Sequence, residues 1–73
     1  MSSNVVEQYR IQIGNQLRMA RVSQGWTYEQ VATMAGMKPQ TVEKIEAGLF
    51  SVPLDVLVKV ADVLGCEINI NEK

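Results

Sequence analysis

The sequence predicts an all-α fold: a compact bundle of four helices, followed by a short C-terminal β-strand. Three observations predict it. Apolar residues recur at intervals of three and four along most of the chain, the spacing of one helix face. Gly and Pro stand between these periodic stretches, where one helix must stop and the next begin. Only near the end does the pattern change, where Cys66, Ile68 and Ile70 alternate with Glu67, Asn69 and Asn71, the period of a strand.

The first helix is read from Val6, Tyr9, Ile13, Leu17 and Ala20, and should run from Asn4 or Val5 to Ser23. Gly14 lies inside it, at a cost of about 1 kcal/mol relative to Ala, which points to close packing or a break there. Gln24-Gly25 ends the helix. Thr27-Tyr28-Glu29-Gln30 then has the form of a capping box, with a hydroxyl for the third amide and a Gln side chain returning to the cap. A second helix, Tyr28 to Ala35, should turn Val31, Ala32 and Met34 or Ala35 inward, and Gly36 should close it in the left-handed conformation. Pro39 suits the first position of a third helix, Pro39 to Ala47, with Val42 and Ile45 buried and Gly48 as its stop. After an apolar loop, Leu49-Phe50-Ser51-Val52, Pro53 opens a fourth helix that reaches Leu64. Its apolar arc is wide. Leu54, Leu57, Val58, Ala61 and Leu64 form one face, and Val56, Val60 and Val63 nearly another, more than one side of a small domain would cover.

Composition narrows the function. A chain of 73 residues makes one domain, 1–73, near the lower limit for burying a self-sufficient core. There is no histidine and a single cysteine, Cys66, so neither an internal disulfide nor a single-chain metal site is expected. The lone thiol suits a reducing cytoplasm. Neither a secretion signal nor an apolar run of membrane-spanning length is seen. Without histidine, a glycine-rich phosphate loop or α/β alternation, neither catalysis nor a cofactor is expected. The net charge of −1 does not advertise a nucleic-acid partner, but the charges are polarised. Residues 8–42 sum to +3 and residues 43–73 to −3, so one face could meet phosphate.

A short capped helix, a glycine turn and a second short helix that opens on polar residues, here residues 27–48, form the helix-turn-helix layout. In that layout the first helix braces across the DNA backbone, and the second presents its N-terminal side chains to base edges in the major groove. Across residues 13–65, the stretches IGNQLRMAR, GWTYEQVATMAGMKPQTVEKIEAG and LDVLVKVADVLG resemble the Cro/repressor-like (XRE-like) helix-turn-helix family. Glycines, cap, apolar positions and the Ile45-Glu46-x-Gly48 ending all fall in register. The resemblance implies a compact repressor-like DNA-binding domain with duplex DNA as its partner.

Site roles follow from the same resemblance. It implies a structural ion pair between Arg21 and Glu46, tying the first helix to the end of the third. It places the base-reading positions at Lys38, Pro39, Gln40, Glu43 and Lys44. Gln40 is the best reader, because an amide can pair bidentately with adenine; Lys44 can donate to guanine or phosphate, and Glu43 can accept from cytosine. Pro39 can offer only apolar contact to a thymine methyl. Tyr28, with the amides of its helix end, should receive phosphate, and Thr41 could add a hydroxyl. Trp26 should pack on the second helix as a staple. Two departures bear on affinity: Ala47, Leu49 and Phe50 stand where basic or amide side chains are common, which means fewer phosphate contacts, and Lys38 replaces the usual hydroxyl cap, so the third helix begins without its side-chain acceptor.

The strand at residues 66–71 has no partner in the chain, which predicts a homodimer in which two strands pair across a two-fold axis. Ile68 and Ile70 should then cover Val56, Val60 and Val63. The functional expectation is a transcriptional regulator, a repressor or the antitoxin of a toxin–antitoxin operon, reading a palindrome as a dimer. A toxin is then a further candidate partner. The alternative is a protein-interaction module that has kept the fold and lost DNA, favoured by the acidic total, Ala47 and the apolar Leu49-Phe50-Val52 stretch.

Overall fold

Thr27, in extended conformation, accepts a hydrogen bond from the Gln30 amide at 3.1 Å while Gln30 Oε1 accepts one from the Thr27 amide at 2.8 Å. This capping box starts the second of four helices in the computed structural model, which describes residues 2–68. The helices are α1 (Ser2–Ser23), α2 (Tyr28–Ala35), α3 (Pro39–Glu46) and α4 (Leu54–Leu64). Gly36 ends α2 with φ 73°, and its amide and that of Met37 return to the last carbonyls of the helix. A side chain there would be forced into the left-handed region that glycine occupies without penalty. The α2–α3 turn is therefore tight, and it fixes the angle between the two helices.

α1 and α2 each pack against both α3 and α4. The core at their junction is Ile13 and Leu17 from α1, Val31 and Ala32 from α2, Val42 and Ile45 from α3, and Leu57, Val60, Ala61 and Leu64 from α4. Phe50, in the loop before α4, is also buried, whereas its neighbour Leu49 is exposed. Half of the apolar loop is thus core. Gly14 faces the end of α3 so closely that a Cβ on it would lie 2.5 Å from the Ile45 carbonyl oxygen and 2.7 Å from that of Glu46. Of the two readings of this glycine, the structure shows close packing within an unbroken helix. At the opposite end of the bundle, the Gln24 side chain donates to the carbonyls of Ala20 and Leu64, joining the C-termini of α1 and α4.

Four expectations are corrected. The stripe on α1 does not bury along its whole length: Val6 and Tyr9 are exposed, because this 22-residue helix outruns the partners packed beside it. Pro53 is the cap of α4 rather than its first turn, since its ψ of 154° is extended. Ala47 is likewise the C-terminal cap of α3. The faces of α4 divide differently. Val60 is buried in the chain's own core, with Val56 and Val63 half-buried against it, so Val60 has no surface left to offer a second chain. The exposed apolar side chains on α4 are Leu54 and Val58.

Among the described residues there is no strand. Residues 66–68 pair with no strand among the described residues, and residues 69–71, including Ile70, lie outside them. Cys66 and Ile68 fold back instead toward Ile13, Leu54, Leu57, Val58 and Ala61, lining a mainly apolar groove. No helix among the described residues is long and apolar enough to cross a membrane.

Candidate nucleic-acid interface

α3 buries Val42, Ile45 and Glu46, which leaves Gln40, Glu43, Lys44 and Ala47 on its exposed side. Gln40 and Lys44 are four residues apart and Ala47 three further, so these three form one outward stripe. Glu43 lies to one flank of the stripe, in a cleft with Asn15, Arg18, Tyr28, Glu46 and Ala47. Thr41, half-buried, lies to the other flank, where Lys44 joins the Leu49–Val52 loop. Lys38 is the cap residue of α3, is exposed, and makes no side-chain capping bond; Pro39 is half-buried at the first helical position. Of the five base-reading candidates, Gln40 and Lys44 share the centre of the face, and Lys38 and Pro39 sit at the helix entry.

Arg21 and Glu46 meet in a two-pronged ion pair. Arg21 Nε donates to Glu46 Oε2 at 2.7 Å and a terminal guanidinium nitrogen donates to Oε1 at 3.0 Å. The other terminal nitrogen donates to the Trp26 carbonyl at 2.7 Å, so one side chain secures α1, the loop before α2 and the end of α3 together. The Glu46 side chain is only 3% exposed, and none of the buried side-chain polar atoms among the described residues lacks a partner. The hydrogen bonds to Glu46 hold the Arg21 guanidinium above its ordinary pKa, against the opposing effect of burial. It stays charged throughout the range in which DNA is bound. The same guanidinium lies 4.4 Å from the centre of the Tyr28 ring, a cation–π contact that orients Tyr28 at the start of α2.

Tyr28 therefore stands beside α3 on the side of Glu43, at a helix end where Thr27 caps the Gln30 amide and the Tyr28 and Glu29 amides have no intrahelical partner. A capped helix end flanking an exposed recognition stripe is the geometry of a DNA reader, with one helix braced on phosphate and the next in the groove. A helix-turn-helix family model matches residues 17–71. The chain belongs to the XRE-like helix-turn-helix family. It is a DNA-binding transcription regulator, and α2 and α3 lie within the matched stretch. Its structure is similar to that of the restriction-modification controller protein C.AhdI from Aeromonas hydrophila, with a TM-score of 0.73 and 29% identity, over 80% of this chain and 88% of that one. A search of curated proteins yields no significant match.

Two features of this helix-turn-helix regulator escape a reading of its sequence. The place of Asn15 and Arg18 beside α3 is one; its only sequence signal is that Asn15, Arg18 and Arg21 recur every three residues and so share a face of α1. The other is the bond from Arg21 to the Trp26 carbonyl, which no residue type announces. Trp26 itself is half-buried against the core and lines a cleft with Glu29, Gln30, Thr33 and Met34 of α2. That is the position of a staple rather than of a base-stacking ring.

Proposed function

We propose that the chain is a sequence-specific transcriptional regulator that binds a palindromic operator in duplex DNA as a homodimer, with α3 of each protomer in the major groove. The observation that carries this reading is the exposed stripe of Gln40 and Lys44 on a helix whose opposite face is locked into the core by Val42, Ile45 and the Arg21–Glu46 pair. A rigid helix with an outward amide can discriminate adenine by donating to N7 and accepting from the exocyclic amine. The similarity to a restriction-modification controller protein favours control of transcription as the use made of that binding. A free-standing repressor or an operon-encoded antitoxin remains the finer assignment, acting in the cytoplasm, without catalytic activity or cofactor.

The test is selection of a binding sequence from a random duplex pool, followed by titration of Gln40→Ala against the selected site. The variant should lose about 1–3 kcal/mol of specific binding with an unchanged circular dichroism melt. Failure to select any sequence, or an unaltered affinity on the selected site, would remove α3 as the reader. Salt dependence separates this reading from a protein-interaction module, which would show no salt-sensitive duplex binding.

A further inference from the structure

The cationic side chains of residues 8–42 are Arg10, Arg18, Arg21 and Lys38, and they are not equivalent. Arg21 is consumed by Glu46 and the Trp26 carbonyl. Lys38 belongs to the entry of α3. Arg18 is exposed, makes no hydrogen bond or ion pair among the described residues, and lines the cleft that holds Asn15, Tyr28, Glu43, Glu46 and Ala47. This cleft runs along the α3 flank on which Glu43 stands, between the recognition helix and the body of α1.

We propose that Arg18, assisted by Asn15, is a backbone-phosphate contact on the flank of the recognition helix, extending the Tyr28 anchor onto α1. The inference rests on the DNA-binding reading above. A helix seated in the major groove has a phosphate strand along each flank, and the side chains set back from its outward stripe meet those strands rather than base edges. On this flank α3 contributes two carboxylates: Glu46, whose charge is taken up by Arg21, and Glu43, which has no such partner and repels phosphate. An unpaired guanidinium in the same cleft offsets the Glu43 charge, and its planar fork can grip two phosphate oxygens at once. Asn15, one turn earlier on α1, can donate its amide to the same strand. Glu43 is then tolerated at the interface because Arg18 lies beside it, which accounts for an acidic residue on a face that binds a polyanion.

The experiment is a fluorescence-anisotropy titration of the full chain on a labelled random-sequence duplex across a salt series. Random sequence isolates phosphate contact from base reading. Arg18→Gln should flatten the plot of log affinity against log salt by about 0.9, and weaken binding about eightfold at 0.1 M salt. Arg18→Lys should keep the slope, and both variants should melt with wild-type protein because the side chain has no intramolecular partner. Normal wild-type binding with an unaltered slope in Arg18→Gln overturns the inference alone. So does a loss of affinity at unchanged slope that Glu43→Gln restores, because Arg18 would then act only by neutralising Glu43. A wild-type chain that binds no duplex overturns the DNA-binding reading, and this inference with it.

Discussion

On helix propensity alone, Gly14→Ala would stabilise α1 by about 1 kcal/mol. Its surroundings reverse the sign. The new methyl would lie 2.5 and 2.7 Å from two carbonyl oxygens of α3, and backbone atoms at a packed helix end cannot swing aside as a side-chain tip can. The expected net result is destabilisation by about 1–3 kcal/mol, from forced separation of α1 and α3. A thermal melt of Gly14→Ala checks it, and a higher melting temperature would show that the two helices are free to part. Arg21→Ala should cost more, about 3–5 kcal/mol, because it leaves the Glu46 carboxylate buried without its partner and frees the Trp26 carbonyl. Urea unfolding monitored by Trp26 fluorescence measures this directly. Glu46→Gln should be milder, since it removes the charge and keeps an acceptor for the guanidinium. The pair gives no alkaline sensitivity to the fold. A base whose folded pKa is raised contributes its full stability below the unfolded value and loses it as pH climbs from that value through the raised one, beyond the range of ordinary buffers. Arg21 and Glu46 were legible as partners from the family resemblance. The third bond, to Trp26, was not, because a backbone acceptor leaves no mark on residue type.

Among the elements, α2 was readable to its ends and α1 was not, and the contrast has a physical cause. Thr27, Gln30 and Gly36 act on the backbone next to them, so their effect does not depend on what packs nearby. The stripe Val6-Tyr9-Ile13-Leu17-Ala20 reports only that α1 is amphipathic. Which of its turns have a neighbour is decided by α3 and α4, and they cover the half beginning near Ile13. The same limit applies to α4, where an apolar arc too wide for one partner left the phase of the helix open. At α3 the local signals conflict: Pro39 starts the helix well, but Lys38 offers no acceptor to its first amides. Lys38→Ser should therefore raise stability by about 1 kcal/mol by supplying the missing cap. It should also weaken duplex binding, because a cation at the entry to the recognition helix is lost. A melt and a titration on the same preparation test both halves. Lower stability would show that Lys38 serves the fold, and unchanged binding would remove it from the interface.

At the scale of the whole molecule, an eight-residue helix is too short to select an operator alone, and the proposed homodimer would supply a second reader through a two-fold axis. The chain's apolar surface suits that axis in a different place from where its sequence suggested. Val60 is spent on the core, but Leu54 is 71% exposed and Val58 54%, on the rim of the groove formed with Ile13, Leu57, Ala61, Cys66 and Ile68. Large apolar side chains this exposed, beside a mainly apolar groove, are the feature that association removes from water. A second copy of the chain brings the same groove and the same two side chains, so each could fill the other, as an isologous interface requires. The groove is built from α4, α1 and residues 66–68, whereas Gln40 and Lys44 project from α3, so pairing there need not cover the reading stripe. Leu54→Asp combined with Val58→Asp should then give a folded monomer, since neither side chain belongs to the core, and should reduce operator affinity by far more than loss of one apolar contact. Sedimentation at micromolar concentration decides it. The wild-type chain should run at twice the mass of one chain and the double variant at that of one. A wild-type species of single-chain mass would end the dimer reading, and a double variant still of two-chain mass would move the interface to the exposed turns of α1 around Val6 and Tyr9.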